Sequence, residues 1–459
     1  MGIILGALQT LNPNGVFGTS WRHPENTSAQ YLTIPYWTKL AQSLERGGFD
    51  FLFFADSYSY PATPDGALIP QAVTDATNFP MGDPITLVSA IAGATSTLSV
   101  VVTSSTTVER APSVARRYGT LDHLTEGRVG WNIVTGTAQA TSADLFGESP
   151  TPHDERYAQA EEHVSICLSL WEGSWADDAL IADKETGVYA DAQGVRQVSF
   201  DGRHLRTHGA FTLPPSPQRT PFLMQAGASN AGRDFAAAYA ELVFIGGSDP
   251  SHVAAQIADI RARAVANGRG ADSVKFVVGA HLIVGADTAA AQAKHADMLT
   301  YMTREYAATE FMWGTGIDLL AYPLDEPLPD FDLKEGQSSL ATYQDPSRGR
   351  NATPREILDA SHSRQINGTM FVGAADEVAD QMEAFLLETQ ADGFLVRPFI
   401  TPGTYDDIVE HLVPTLVERG LVDPDRSPST LRARLFPESG DRLPATHPGA
   451  AFRQVHADR

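Results

Sequence analysis

The residues best placed for chemistry stand at the ends of short apolar runs. Asp56 follows Phe51-Leu52-Phe53-Phe54-Ala55. A carboxylate there needs partners, because burying it alone costs several kcal/mol or forces it to take up a proton. Its other use is to cap a loop or a helix. Thr103 closes Leu98-Ser99-Val100-Val101-Val102 and opens the hydroxyl-rich Ser104-Ser105-Thr106-Thr107. Hydroxyls suit the edge of a pyrimidine-like ring, which presents donors and acceptors, and they suit capping of a following helix equally well. Asn132, in Arg128-Val129-Gly130-Trp131-Asn132-Ile133-Val134, carries both a donor and an acceptor for the same ring edge or for a neighbouring loop.

A second set reads as an anion site. His153 and Tyr157 are four residues apart, so a helix starting near Pro152 puts both on one face beside its N-terminus, where a phosphate is welcome. Gln225-Ala226-Gly227-Ala228-Ser229-Asn230-Ala231-Gly232 joins a strand to a helix with small residues that let backbone N–H groups approach a phosphate, Ser229 adding a hydroxyl. The same loop nearly spells the Gly-x-Ser-x-Gly elbow of a serine hydrolase, with Ala231 in the last place. A hydrolase would use Ser229 as nucleophile, but it leaves Asp56, Thr103 and Asn132 unexplained. His23, in Trp21-Arg22-His23-Pro24, is the candidate for proton traffic, or else a loop histidine bonded to backbone. No His-Glu-x-x-His or Gly-Lys-Ser/Thr motif occurs, and no metal site is expected. Cys167, the single cysteine, lies in an apolar helical run and reads as a buried thiol.

Short apolar runs alternating with helical patterns position these residues, which is the signature of βα units. Strands are expected over 3–8, 49–55, 98–103, 128–134, 221–225, 242–246, 276–284 and 393–397, and helices over 35–46, 84–94, 112–121, 156–170, 231–240, 251–266, 288–306 and 376–389. Eight pairs favour an α/β fold of the (β/α)8 TIM-barrel type, in which polar residues at the C-terminal strand ends collect the chemistry. Long insertions near 9–34, 172–220 and 311–365 are expected to lie over that face. One domain is expected over 1–420, and an irregular tail over 421–459. With 33 Lys+Arg against 56 Asp+Glu, the net charge of −23 argues against nucleic acid and membrane surfaces as partners. The N-terminus has no basic, apolar leader, so a cytoplasmic location is expected.

Trp21-Arg22-His23-Pro24, Thr120-Leu121-Asp122-His123-Leu124, Gly130-Trp131-Asn132-Ile133-Val134-Thr135, Glu155-Arg156-Tyr157 and Gln225-Ala226-Gly227 occur in order across the chain. Together they resemble the nitrilotriacetate/dibenzothiophene-sulfone monooxygenase group of the bacterial-luciferase-like flavoproteins. The resemblance implies a two-component monooxygenase: a separate flavin reductase supplies reduced FMN, which reacts with O2 at its C4a position as a peroxide and oxygenates a small organic substrate. It implies that Asp56, Thr103 and Asn132 line the ring, that His153, Tyr157 and Ser229 hold the ribityl phosphate, and that the protein is a homodimer or homotetramer. Arg156, Arg203 and Arg233 are candidates for a local positive spot on an acidic surface. A deazaflavin-dependent oxidoreductase on the same barrel, and a flavin-binding protein without turnover, are the alternatives.

Overall fold

The computed structural model describes residues 2–456 apart from 17, 64, 137–138, 228, 332–339, 341–342, 344–348, 364–368 and 428. Among them, nine parallel strands join one sheet. Eight close a barrel in the order β1 (Ile4–Thr10), β2 (Phe51–Ala55), β3 (Ser99–Ser105), β4 (Val129–Val134), β9 (Phe222–Gln225), β10 (Leu242–Ile245), β11 (Lys275–Val284) and β13 (Gly393–Val396), with β13 returning to β1. The strands expected from the sequence are these eight. The ninth, β12 (Thr369–Gly373), was not foreseen; it pairs with the second half of β11, beyond the point where β10 ends. Two antiparallel hairpins, β5 (Leu180–Asp183) with β6 (Val188–Ala190) and β7 (Gln197–Asp201) with β8 (Arg206–Ala210), occupy the insertion between β4 and β9.

Strand periodicity sorts the side chains into two cores. Ile4, Leu8, Phe51, Phe53, Val101, Phe222, Met224, Leu242, Val277 and Leu395 fill the barrel interior, and Leu431 of the C-terminal tail joins them. The alternate residues, such as Leu52, Phe54, Val100, Val102 and Trp131, face the surrounding helices. These helices are α1 (Ile34–Arg46), α2 (Pro70–Asp75), α3 (Val88–Ala94), α4 (Ala111–Leu124), α5 (Gln139–Phe146), α6 (His153–Leu168), α7 (Asn230–Tyr239), α8 (Pro250–Ala266), α9 (Thr288–Leu299), α10 (Arg304–Thr315), α11 (Pro354–Ser363) and α12 (Ala375–Thr389). The sequence suggested one helix over 288–306; Thr303 divides it, because its side chain caps a new helix by accepting from the Tyr306 amide.

The insertion over 172–220 leaves α6 at the N-terminal end of the barrel, where Glu172 is fully buried and accepts from Thr220. Its second hairpin climbs back along α6: the amides of Arg203, His204 and Leu205 donate to Glu162, and Arg203 pairs with Glu155 in the first turn. No helix among the described residues is long and apolar enough to cross a membrane.

Candidate functional site

Parallel register builds the mouth. Val101 and Gly130 are opposite each other, so Thr103 and Asn132, two residues further on, are opposite as well and face inward one layer higher. Asn132 Nδ2 donates to Thr103 Oγ1 at 2.9 Å, and Thr103 Oγ1 donates to the Phe54 carbonyl at 2.8 Å. The amide is thereby oriented, and Asn132 Oδ1 is buried with no hydrogen-bond partner among the described residues. A buried acceptor left open is costly, and a donor from outside the protein would offset that cost.

Asp56 stands at the end of β2, beside this pair. Its Oδ1 accepts from the Ser57 amide at 2.9 Å, and the side chain is half-buried. Burial, with the nearby Asp83 and Glu109 carboxylates adding to it, pushes its carboxyl up to about 7. A half-open carboxyl that is nevertheless desolvated lines a sheltered space and can present either a donor or an acceptor near neutral pH.

The residues expected to hold an anion come from α6 and α7. Ser229 caps α7 by accepting from the Gly232 amide at 3.1 Å. A Cβ at Gly227 would fall 2.3 Å from Gln225 Nε2 and 3.0 Å from the Tyr157 hydroxyl, and one at Gly232 would fall 2.8 Å from the same hydroxyl. Only glycine lets the phenol come this close to the start of α7, where free N–H groups and the helix dipole favour an anion. Tyr157 and Ser229 are therefore brought together. His153 begins α6, but its side chain lies outside the described residues. Arg156 is buried beside Tyr157 and donates to the Gly136 carbonyl at 2.6 Å, while its Nε has no partner among the described residues. The other two candidate cations are occupied: Arg203 pairs with Glu155 at 3.1 Å and Arg233 with Asp259 at 2.7 Å.

His23 is placed on the roof loop with both ring nitrogens engaged. Nδ1 accepts from the Glu25 amide at 3.1 Å, and Nε2 meets Asp297 of α9 at 3.0 Å. The same loop is tied to α9's end by Thr19, whose amide and hydroxyl both donate to the Tyr301 carbonyl. Thr120 to Leu124, conspicuous in the sequence, lies at the opposite end of the barrel. Asp122 there accepts from the Gln218 amide and Nε2, and His123 Nε2 meets the Pro214 carbonyl, so this motif staples the rim below β9.

Sequence reasoning missed Glu310, Asn78 and Arg397. Asn78 Nδ2 donates to Glu310 Oε1 at 2.7 Å, joining the long connection after Asp56 to α10. Arg397 follows β13 two residues after Leu395, so it shares the inward parity of the barrel core one layer above it. Only the apolar run before Arg397 hinted at a strand-end position.

Polar groups from β2, β3 and β4 and from the starts of α6 and α7 thus gather at the C-terminal end of a (β/α)8 barrel, the end at which such barrels carry their chemistry. The description of the luciferase-like monooxygenases matches residues 15–393, and the chain belongs to that family. It is 36% identical to the dimethyl-sulfide monooxygenase of Hyphomicrobium sulfonivorans over 100% of this chain and 95% of the relative. Identity to nitrilotriacetate monooxygenase component A of Aminobacter aminovorans is 31%, covering 92% and 94% of the two chains. The crystal structure of a riboflavin lyase (RcaE) with modified FMN and its substrate riboflavin superposes with a TM-score of 0.90 at 34% identity, covering 99% of this chain and 100% of the other. The protein is thus a monooxygenase of the luciferase-like family.

Proposed function

We propose that the chain is the oxygenating component of a two-component, FMN-dependent monooxygenase that takes reduced FMN from a separate reductase in the cytoplasm and inserts one atom of O2 into a small organic substrate. The reading is supported above all by the unpartnered Asn132 Oδ1, which lies at the same mouth as the Tyr157–Gly227–Gly232 cradle. One offers an acceptor to a ring N–H, and the other offers N–H and O–H donors to a phosphate.

Asp56, Thr103 and Asn132 would hold the ring, and Tyr157, Ser229, the α7 N-terminus and His153 the ribityl phosphate. Bound reduced FMN supplies the electrons that activate O2. The protein's own residues do the rest. Thr103 fixes the Asn132 amide, and Asp56 holds or releases a proton near neutral pH. Arg156 offsets part of an anion's charge on an otherwise acidic chain. The roof loop, pinned by His23 to Asp297, keeps water from the mouth. In this pinned state His23 steers the roof; it can handle a proton at the mouth only when Asp297 releases it.

A serine hydrolase is disfavoured because no histidine bonds to the Ser229 hydroxyl among the described residues. The deciding measurement is anaerobic titration with reduced FMN, followed by admission of O2 and mass analysis of product. Tight binding, O2 consumption and a gain of one oxygen are expected. Binding no tighter than to an unrelated acidic protein would end the proposal, and binding with hydride transfer but no O2 uptake would point to the deazaflavin-type alternative.

A further inference from the structure

We propose that Arg156 couples the two halves of the flavin site: a phosphate held beside the α7 N-terminus fastens α5 as a strap over the ring wall, so that phosphate and ring bind cooperatively. This rests on the FMN-dependent reading and goes beyond it by giving that site an internal coupling.

Arg156 is only 6% exposed, and its Nη1 donates to the Gly136 carbonyl at 2.6 Å. Its Nε is buried without a partner, and no carboxylate pairs with the guanidinium, among the described residues. Glu155, the carboxylate next to it in sequence, is taken by Arg203 at 3.1 Å. A cation so enclosed lacks the counter-charge that normally offsets its desolvation. The guanidinium is planar, and Nε and Nη2 share the edge turned away from the Nη1 bond. That edge can take two oxygens of an anion while Nη1 keeps the Gly136 carbonyl.

Register places this group beside the proposed anion cradle. Ile133 of β4 and Gln225 of β9 are partners in parallel strands, so the chains leaving them run side by side at the rim. Gly136, three residues past Ile133, takes Arg156, and Gly227, two residues past Gln225, would carry a Cβ 3.0 Å from the Tyr157 hydroxyl. Consecutive residues near the start of α6 thus grip adjacent loops. Gly136 in turn leads to α5, whose Thr141, Ser142 and Ala143 are buried. At the far end of α5, Phe146 meets Tyr58 edge to face, with ring centroids 5.1 Å apart and planes at 88°. Tyr58 lies two residues past Asp56, so α5 is tied at one end to Arg156 and at the other to the loop that carries Asp56. Because β3 stands between β2 and β4, the strap crosses the end of the strand that carries Thr103. Phe146 and Tyr58 both keep exposed surface, and such a ring pair is weak on its own. A phosphate on Arg156 offsets the buried charge and fixes the guanidinium plane, and with it the Gly136 carbonyl. The cost of ordering α5 is then met once, by whichever of phosphate and ring binds first.

The test divides the flavin into its parts. Reduced riboflavin, which has the ring and no phosphate, is titrated anaerobically into the full-length protein in sodium phosphate and in sodium chloride of equal ionic strength. Phosphate is expected to raise riboflavin affinity about fivefold or more. Phe146→Ala removes the far tie and leaves Arg156 in place, so it is expected to make riboflavin affinity equal in the two salts while calorimetric binding of inorganic phosphate persists. Riboflavin affinity that phosphate leaves unchanged or lowers in the unmodified protein would overturn the inference without recourse to any variant. So would a gain that survives in both Phe146→Ala and Arg156→Gln, which would assign it to a general salt effect. Reduced FMN titrated into the same preparations separates the two readings. Retained FMN binding with riboflavin affinity indifferent to phosphate ends this inference alone, whereas absent FMN binding in the unmodified protein ends the FMN-dependent reading.

Discussion

Asn132 and Thr103 face each other across β3 and β4 with Nδ2 and Oγ1 2.9 Å apart, and this one bond sets the direction in which Asn132 Oδ1 points. Thr103→Val removes the acceptor and frees the amide to rotate, so reduced-FMN affinity is expected to drop about tenfold. Asn132→Leu also removes the acceptor proposed to face the ring and is expected to cost more, about 30-fold. Flavin fluorescence titration of both variants checks the order. Equal or unchanged affinities would show that Asn132 Oδ1 meets no part of the flavin.

Tyr157 and the two glycines predict a discrimination between FMN and riboflavin. Tyr157→Phe deletes a hydroxyl that would reach the phosphate and nothing that would reach the ring. FMN affinity is expected to fall about tenfold, with riboflavin affinity unchanged. Gly232→Ala places a methyl 2.8 Å from that hydroxyl, so it should lower FMN affinity more than Tyr157→Phe does. Competition titrations with the two flavins separate these outcomes from a general loss of folding.

Burial of Asp56 has a pH consequence whose sign is fixed. Its folded carboxyl is raised to about 7 from 3.8, so the folded state binds the extra proton and its stability falls as pH rises through this window. From pH 5 to pH 8 the loss attributable to Asp56 is about 2 to 3 kcal/mol. Asp56→Asn is expected to remove that share of the slope in urea unfolding of the flavin-free protein. An unchanged slope would mean that the carboxyl titrates as an exposed one.

Much of this site was readable from the sequence because a parallel barrel converts sequence position into spatial position. A polar residue ending an apolar run must emerge at one rim, and Asp56, Thr103 and Asn132 do so. The cradle was readable because a strand–small-residue–helix passage has few structural uses. Glu310 and Asn78 were not, since they meet across more than two hundred residues on segments with no periodic pattern. β12 escaped because Thr369-Met370-Phe371-Val372-Gly373 is short and only alternately buried. Thr120 to Leu124 entered only as a motif of the family resemblance, and its place is structural: Gln218 donates twice to Asp122 at the far rim.

The link between His23 and Asp297 predicts a leak in place of an unfolding. Asp297 is largely exposed, so the pair contributes at most about 1 kcal/mol to stability. Its effect should appear in how well the roof excludes water. Asp297→Asn is expected to raise the fraction of O2 released as H2O2 severalfold, with a melting temperature shift of only a few degrees. Simultaneous peroxide and product assays measure this, and unchanged coupling would show that the roof is held without this pair, by ties such as Thr19 to Tyr301 and Thr27 to Thr401.

At the opposite end of the barrel the C-terminal tail supplies a buried cation. Arg432 is fully enclosed, with Nε 2.6 Å from Glu241 Oε1 and Nη2 2.8 Å from Oε2, and its remaining N–H groups meet the carbonyls of Gln218, Thr220, Pro221 and Asp441. Burial works to raise the Glu241 carboxyl, but the Arg432 charge outweighs it and holds that carboxyl below its usual range. Arg432→Met strands a buried carboxylate and is expected to cost about 3 to 5 kcal/mol in urea unfolding. Adding Glu241→Gln should recover a large part, because the uncompensated charge is gone, although the Leu223 amide still needs an acceptor there. Reduced-FMN affinity of the double variant should stay within about twofold of the unmodified protein, since the proposed flavin wall is at the other rim and distant sites add independently. A flavin affinity that tracked the stability loss would instead mean that the tail transmits its packing through the barrel to the mouth.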